Sequence, residues 1–228
     1  MTVPGTFDTS ARELIHAGLQ NLDEARSLFR QLSASGFDAA RCGLLLDALQ
    51  HVCDPDVALR NLVDIVNAQV SQGRALDDIM PDDTAFRQLV AVLGVSDAMG
   101  KLMRFRPDLV QAAATDHCNS HLYNHDQRRA HVLESVGADP NDRMSPTATM
   151  DLADAATALR RTYRNQLAAI IAQDTMSDDP IALQPRISSE LSDLADAALE
   201  GALAIARHEI TGSEHCRFAI IGMGKLGA

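Results

Sequence analysis

Tryptophan is absent from this chain, and tyrosine and phenylalanine together number eight in 228 residues. Sheet cores draw on aromatic and β-branched side chains, so this scarcity argues against a mainly β protein. Basic clusters are missing as well. Net charge is −11, and the densest cationic stretch, 101–106, holds only Lys101, Arg104 and Arg106. A protein that grips nucleic acid neutralises phosphates with grouped Lys and Arg, which excludes that class here. A small nucleotide stays possible, because one well-placed loop can hold it. The four cysteines, Cys42, Cys53, Cys118 and Cys216, form no C-x-x-C. They read as free thiols in a reducing compartment. The first ten residues lack a basic start followed by an apolar stretch, so no signal peptide is expected. No apolar run reaches the length of a membrane span, and a cytoplasmic protein is the expectation.

Apolar residues make up 46% and charged residues 22%, a globular composition rich in alanine and leucine. Helix punctuation recurs. Ser10 followed by Glu13 is a capping box, and Asn21 with Glu24 repeats it. Gly36 suits the left-handed residue that closes a helix. Asp38 starts another helical stretch, and Asp54-Pro55 pairs a cap with proline at the first helical position. Ser96 and Pro107 open two more short helices. The pattern is a series of short helices joined by tight turns, without a fixed-period repeat.

A linker is expected at 137–148, rich in Gly, Pro, Asp and Ser. Two long amphipathic helices should follow. The first carries Leu152, Ala156, Leu159, Tyr163, Leu167 and Ile170 on one face. The second, capped by Ser188 or Ser189, carries Leu191, Leu194, Ala198, Ala202, Ile205 and Ala206. After Gly212 the pattern changes, and Arg217 to Ile221 reads as a strand buried on both faces. One strand needs neighbours for its backbone groups, so the chain reads as the truncated front of an α/β domain.

That strand runs into Gly222-Met-Gly224-Lys225-Leu-Gly227. Glycines let backbone amides approach a phosphate without a Cβ in the way, and Lys225 adds a positive charge. Gly222, Gly224 and Lys225 are therefore the candidate nucleotide-phosphate site. The spacing also matches a dinucleotide fingerprint, whose second strand and acidic residue lie beyond the sequence. A Walker loop is disfavoured, because Leu226 stands where it needs Ser or Thr. A turn with glycines for geometry alone remains an alternative.

The segment from Phe218 to Gly227 resembles the opening of the nucleotidyltransferase domain in the bacterial bifunctional glutamine synthetase adenylyltransferase/adenylyl-removing family. Leu93-Gly-Val-Ser96, Met99-Gly100 and Leu102 to Leu109 are similar to its upstream helical stretch. Leu159 to Arg164 with Ile170 and Asp174 is similar to its Arg-rich helix, and Ser189 to Leu199 to the helix before the strand. The resemblance runs from about Leu89 to the end; 1–88 fits only in being helical. It implies a mainly α fold in three parts: an all-helical region (1–136), the linker (137–148), and the start of an adenylyl-removing nucleotidyltransferase domain (149–228).

The resemblance implies an enzyme that removes AMP from a tyrosine of glutamine synthetase with inorganic phosphate, releasing ADP, and attaches AMP from ATP. Glutamine synthetase and a PII-type regulatory protein would be its partners, and Mg²⁺ and ATP or ADP its ligands. The family's Asp-x-Asp metal pair follows the glycine turn, and no residue of this chain corresponds to it. The chain alone is expected to be inactive, with no catalytic or metal-binding residue of its own. A helical interaction or regulatory module and the front of a dinucleotide-dependent enzyme are the rival readings.

Three other groupings stand out. His117, His121 and His125 are four apart, so one helix would align them for a transition metal. A solvent-facing stripe beside Gln127, Arg128 and Arg129 is the plainer reading. Arg160, Arg161 and Arg164 read as a solvated helix face rather than an anion site. Asp77, Asp78, Asp82 and Asp83 flank Pro81 and suit turns and caps.

Overall fold

The computed structural model describes residues 9–114, 124–177, 179–210, 212 and 220–222, with the side chain of Asp78 excepted. It is mainly helical, and no strand occurs among the described residues. The chain divides into two compact units. One comprises Met1–Cys118 with Ile171–Met176, the other Asn119–Ile170 with Ser177–Ala228.

Among the described residues of the first unit, seven α-helices follow one another: α1 (Ala11–His16), α2 (Leu22–Ala34), α3 (Ala39–Leu49), α4 (Pro55–Ser71), α5 (Asp83–Val95), α6 (Asp97–Met103) and α7 (Pro107–Ala114). Their starts are chemically explicit. Ser10 and Glu13 complete the capping box, and Asn21, Asp38, Asp54, Asp82 and Ser96 each accept from a backbone N–H three residues on. Each such cap contributes about 1 kcal/mol and fixes where a helix starts. Gly18, Gly36 and Gly73 sit just past helix ends with positive φ, where a Cβ would be strained.

The core lies along α4 and α5. Leu59, Leu62, Val63, Ile65 and Val66 meet Phe86, Leu89, Val90, Val92 and Leu93, with Phe29, Leu32, Leu45 and Leu49 closing the sides. Burying each such side chain contributes about 1.5–3 kcal/mol. Phe37 and Phe86 pack at 6.3 Å between ring centroids, tilted by 56°.

The second unit holds α8 (His125–Ser135), most of α9 (Leu152–Thr175) and α10 (Pro180–Glu209). Two apolar clusters organise it. Leu133, Val136, Ala138, Ala148, Ala155, Ala204 and Ile205 form one, with Met150 and Leu159 against it. Ile170, Ile187 and Leu194 form the other, with Tyr163, Leu167 and Leu183.

Two sequence expectations about α10 change. α10 begins at Pro180 under an Asp179 cap, so Ser188 and Ser189 are interior; the helix runs on through Pro185, whose missing N–H leaves the rest of the ladder intact. Its buried residues are Ile187, Glu190, Leu194, Ala197, Gly201, Ala204 and Ile205, so Leu194 and Ile205 lie inside as expected, while Leu191 and Ala202 face water. The stretch 137–148 is fastened within the second unit rather than loose. Ala148 N donates to Ala204 O (3.0 Å), Thr149 Oγ1 to Gly137 O (2.8 Å), and Arg207 Nη1 to Pro146 O (3.0 Å).

Candidate functional site

Of the glycine-turn residues, Gly222 is described, with Ile220 and Ile221 before it; all three lack regular secondary structure and are exposed. Gly224 and Lys225 lie outside the described residues, as do 217–219 of the expected strand. Upstream, α10 closes at Ile210, whose N–H donates to Ala206 O (3.1 Å), and Gly212 follows with φ +80°. Ile210 leaves the helix in extended backbone (φ −104°, ψ 106°), and the left-handed Gly212 lies two residues on, so the break falls where it is expected.

The histidine stripe does not form as one helical face through His125. Asn124 is extended (φ −70°, ψ 168°) and caps α8 by accepting from Gln127 N, with Gln127 bonding back. The helix that holds His125 therefore begins at this cap. His125 instead places Nδ1 3.1 Å from Asp193 Oδ1. His117 and His121 lie outside the described residues. Among the described residues, no group of three or more His, Cys, Asp or Glu is placed to hold a metal ion.

Arg160, Arg161 and Arg164 lie along α9, with Arg160 and Arg161 exposed and Arg164 half-buried. Arg160 Nη2 donates to Thr157 Oγ1 at 3.3 Å. Asp77, Asp82 and Asp83 line a cleft of about 500 Å³ between α3 and the start of α5, with Leu44, Met80 and Phe86 beneath. Their roles there are structural: Asp82 caps α5, and Asp77 pairs with Arg41 at 2.6 Å.

Sequence reasoning missed the most buried charges. Arg128 and Arg129, read as solvent-facing, are 1% and 9% exposed. Arg128 donates to Gln166 Oε1 (2.7 Å) on α9 and to Glu190 Oε2 on α10. Arg129 grips Glu200 with two bonds (2.7 and 2.6 Å) and also donates to the Pro140 and Asp142 carbonyls. Burial pushes the Glu190 carboxyl up despite the attraction of Arg128. The available signal was the three–four spacing of 187, 190, 194, 197, 201 and 204, which puts Glu190 in an apolar seam and demands a buried cation opposite.

A protein-family model described as glutamate-ammonia ligase adenylyltransferase matches residues 86–228, well over half the chain. The chain belongs to that family. A curated bifunctional glutamine synthetase adenylyltransferase/adenylyl-removing enzyme of Bifidobacterium longum (strain DJO10A) is 66% identical over 97% of this chain. Proteins of the same description from Leifsonia xyli and Cutibacterium acnes are 32% and 30% identical over 94% and 95%. The likeness therefore extends into residues 1–88, which from the sequence fit the family only in being helical. The chain spans 21% of the length of each of these adenylyltransferase relatives. No solved structure matches. No helix among the described residues is long and apolar enough to cross a membrane.

Proposed function

We propose that these residues form part of an enzyme that removes AMP from, and adds AMP to, a tyrosine of glutamine synthetase, and so regulates nitrogen assimilation. The observation that carries this reading is 66% identity over 97% of the chain to a relative of that description. In this reading 149–228 opens the adenylyl-removing domain in an α/β fold whose first strand includes 217–221. Gly222 and Gly224 offer backbone N–H groups to phosphate oxygens, and Lys225 adds charge beside them.

In the removal direction an oxygen of inorganic phosphate attacks the AMP phosphorus. The tyrosyl oxygen leaves and takes up a proton, and ADP is released. Mg²⁺, which would neutralise phosphate charge, needs carboxylates beyond this sequence, as does the chemical step itself. ATP and ADP are the nucleotides, a PII-type protein the regulator, and the cytoplasm the location.

The test uses adenylylated glutamine synthetase, inorganic phosphate and Mg²⁺, with ADP release as the readout. The full-length protein carrying this sequence releases ADP, its K225A variant releases much less, and residues 1–228 alone release none. A full-length protein that leaves the adenylyl group in place overturns the proposal.

A further inference from the structure

The α8–α10 contacts ascend together along both helices: His125 meets Asp193, Arg129 meets Glu200, and a Cβ at Gly201 would lie 2.8 Å from Val132 Cγ1. The two helices therefore run in the same direction. Their shared seam on α10 is shallow. Beyond Leu194 it presents Ala197, Gly201 and Ala204, spaced three or four apart, and one large side chain, Ile205, at its far end. Large knobs in matching holes fix the register of packed helices, and a seam of small residues supplies few of them. Between 197 and 204, positions one turn apart along α10 offer α8 nearly the same surface, so the apolar packing there specifies its axial position weakly.

Two adjacent arginines supply what the seam lacks. Arg128 reaches toward the start of α10, to Glu190, with Gln166 of α9 completing the buried node. Arg129 grips Glu200, on the other side of the α8 contact. The two glutamates are ten residues apart, about 15 Å along the helix. Sliding α8 toward the end of α10 stretches the Arg128–Glu190 arm. Sliding it the other way stretches the Arg129–Glu200 arm. Arg186, whose Nε lies 3.9 Å from Glu190 Oε1, belongs to α10 itself and does not oppose sliding.

We propose that Arg128 and Arg129 form a two-way clamp that sets the axial register of α8 on α10. A buried polar contact that specifies register rather than adding stability is the best attested use of such pairs. The clamp fixes the level at which α10, the helix leading toward the glycine turn, is held.

Disulfide trapping reads the register directly, because the bond forms only between closely apposed Cβ atoms. In the full 228-residue chain, with Cys42, Cys53, Cys118 and Cys216 replaced by alanine, Val132→Cys is paired in turn with G201C, A197C or I205C. Replacing Val132 also removes the methyl groups that crowd position 201. With the clamp intact, only the 132–201 pair crosslinks under mild oxidation. In R129M/E200L, α8 slips toward the start of α10, and the 132–197 crosslink appears while 132–205 does not. In R128M/E190L the slip runs the other way, and 132–205 appears without 132–197.

Crosslinking that stays confined to 132–201 in both variants overturns the clamp, as does either variant yielding both slipped pairs alike. Circular dichroism checks that each variant keeps its helices. Should R128M/E190L not fold, R129M/E200L decides the matter by itself, since the Glu200 side chain is partly exposed and its loss leaves the buried node in place.

Discussion

Gly100 on α6 lies directly against the Asn61 amide on α4: a methyl group added at Gly100 would sit 2.6 Å from Asn61 Nδ2. That nitrogen donates to Leu93 O of α5 at 3.2 Å, so three helices meet at one buried bond. G100A must push Asn61 off this acceptor. The expected cost is about 1–3 kcal/mol, in the range of overpacked sites. Urea unfolding measures it, and an unchanged midpoint would contradict the close approach. Because the two residues touch, the G100A and N61A effects should not add.

Asp56 joins two turns that are distant in sequence. Its carboxylate accepts from Gln20 N (3.0 Å) and Asn21 N (3.3 Å), fixing the α1–α2 corner onto the start of α4. D56A should destabilise by about 1–3 kcal/mol, the scale of bonds to a charged acceptor. D56N keeps one acceptor oxygen and should lose less. Equal losses in the two variants, read from thermal melts, would refute this division.

Replacing Glu190 alone and replacing it together with Arg128 should differ in sign. E190L leaves a buried guanidinium without its counter-charge, which costs about 3–5 kcal/mol. R128M/E190L removes both charges and should match or exceed the parent in urea, because burial already works against the ionised carboxyl. A double variant weaker than E190L would sink the expectation.

The loop after α8 carries a pH-dependent element. Met144 N and Ser145 N donate to the Asp142 carboxylate and hold its pKa below the ordinary aspartate value. A folded-state value below the unfolded one adds stability at pH above the ordinary aspartate range, and that stability is lost as pH falls through the lowered value. The stability gap between the parent and D142A should therefore be open near neutral pH and close in acid. A gap that stays constant from neutral to acid would refute the assignment.

Local chemistry was the legible part of the sequence. Ser10, Asn21, Asp38, Asp54 and Ser96 announced their helices because a cap and the amide it serves lie within three residues. The start of α10 was misread for the same reason: Ser188 and Ser189 look like caps, but Asp179-Pro180 had already satisfied the first turn. Arg128 escaped notice because its partners Gln166 and Glu190 stand 38 and 62 residues away. Charged residues belong on surfaces unless such partners exist, and no local pattern reveals them. The glycine turn was legible as words shared with a family, while its geometry at Gly224 and Lys225 falls outside the described residues.

The short segment Ile171–Met176 belongs with Met1–Cys118, yet its first five residues end a helix whose first nineteen residues, 152–170, belong to the other unit. No single proteolytic nick can hand each half all of its own residues. Expression of 1–118 in isolation would leave out six of them, and a graft or fusion partner inserted anywhere in α9 would have to respect two owners at once.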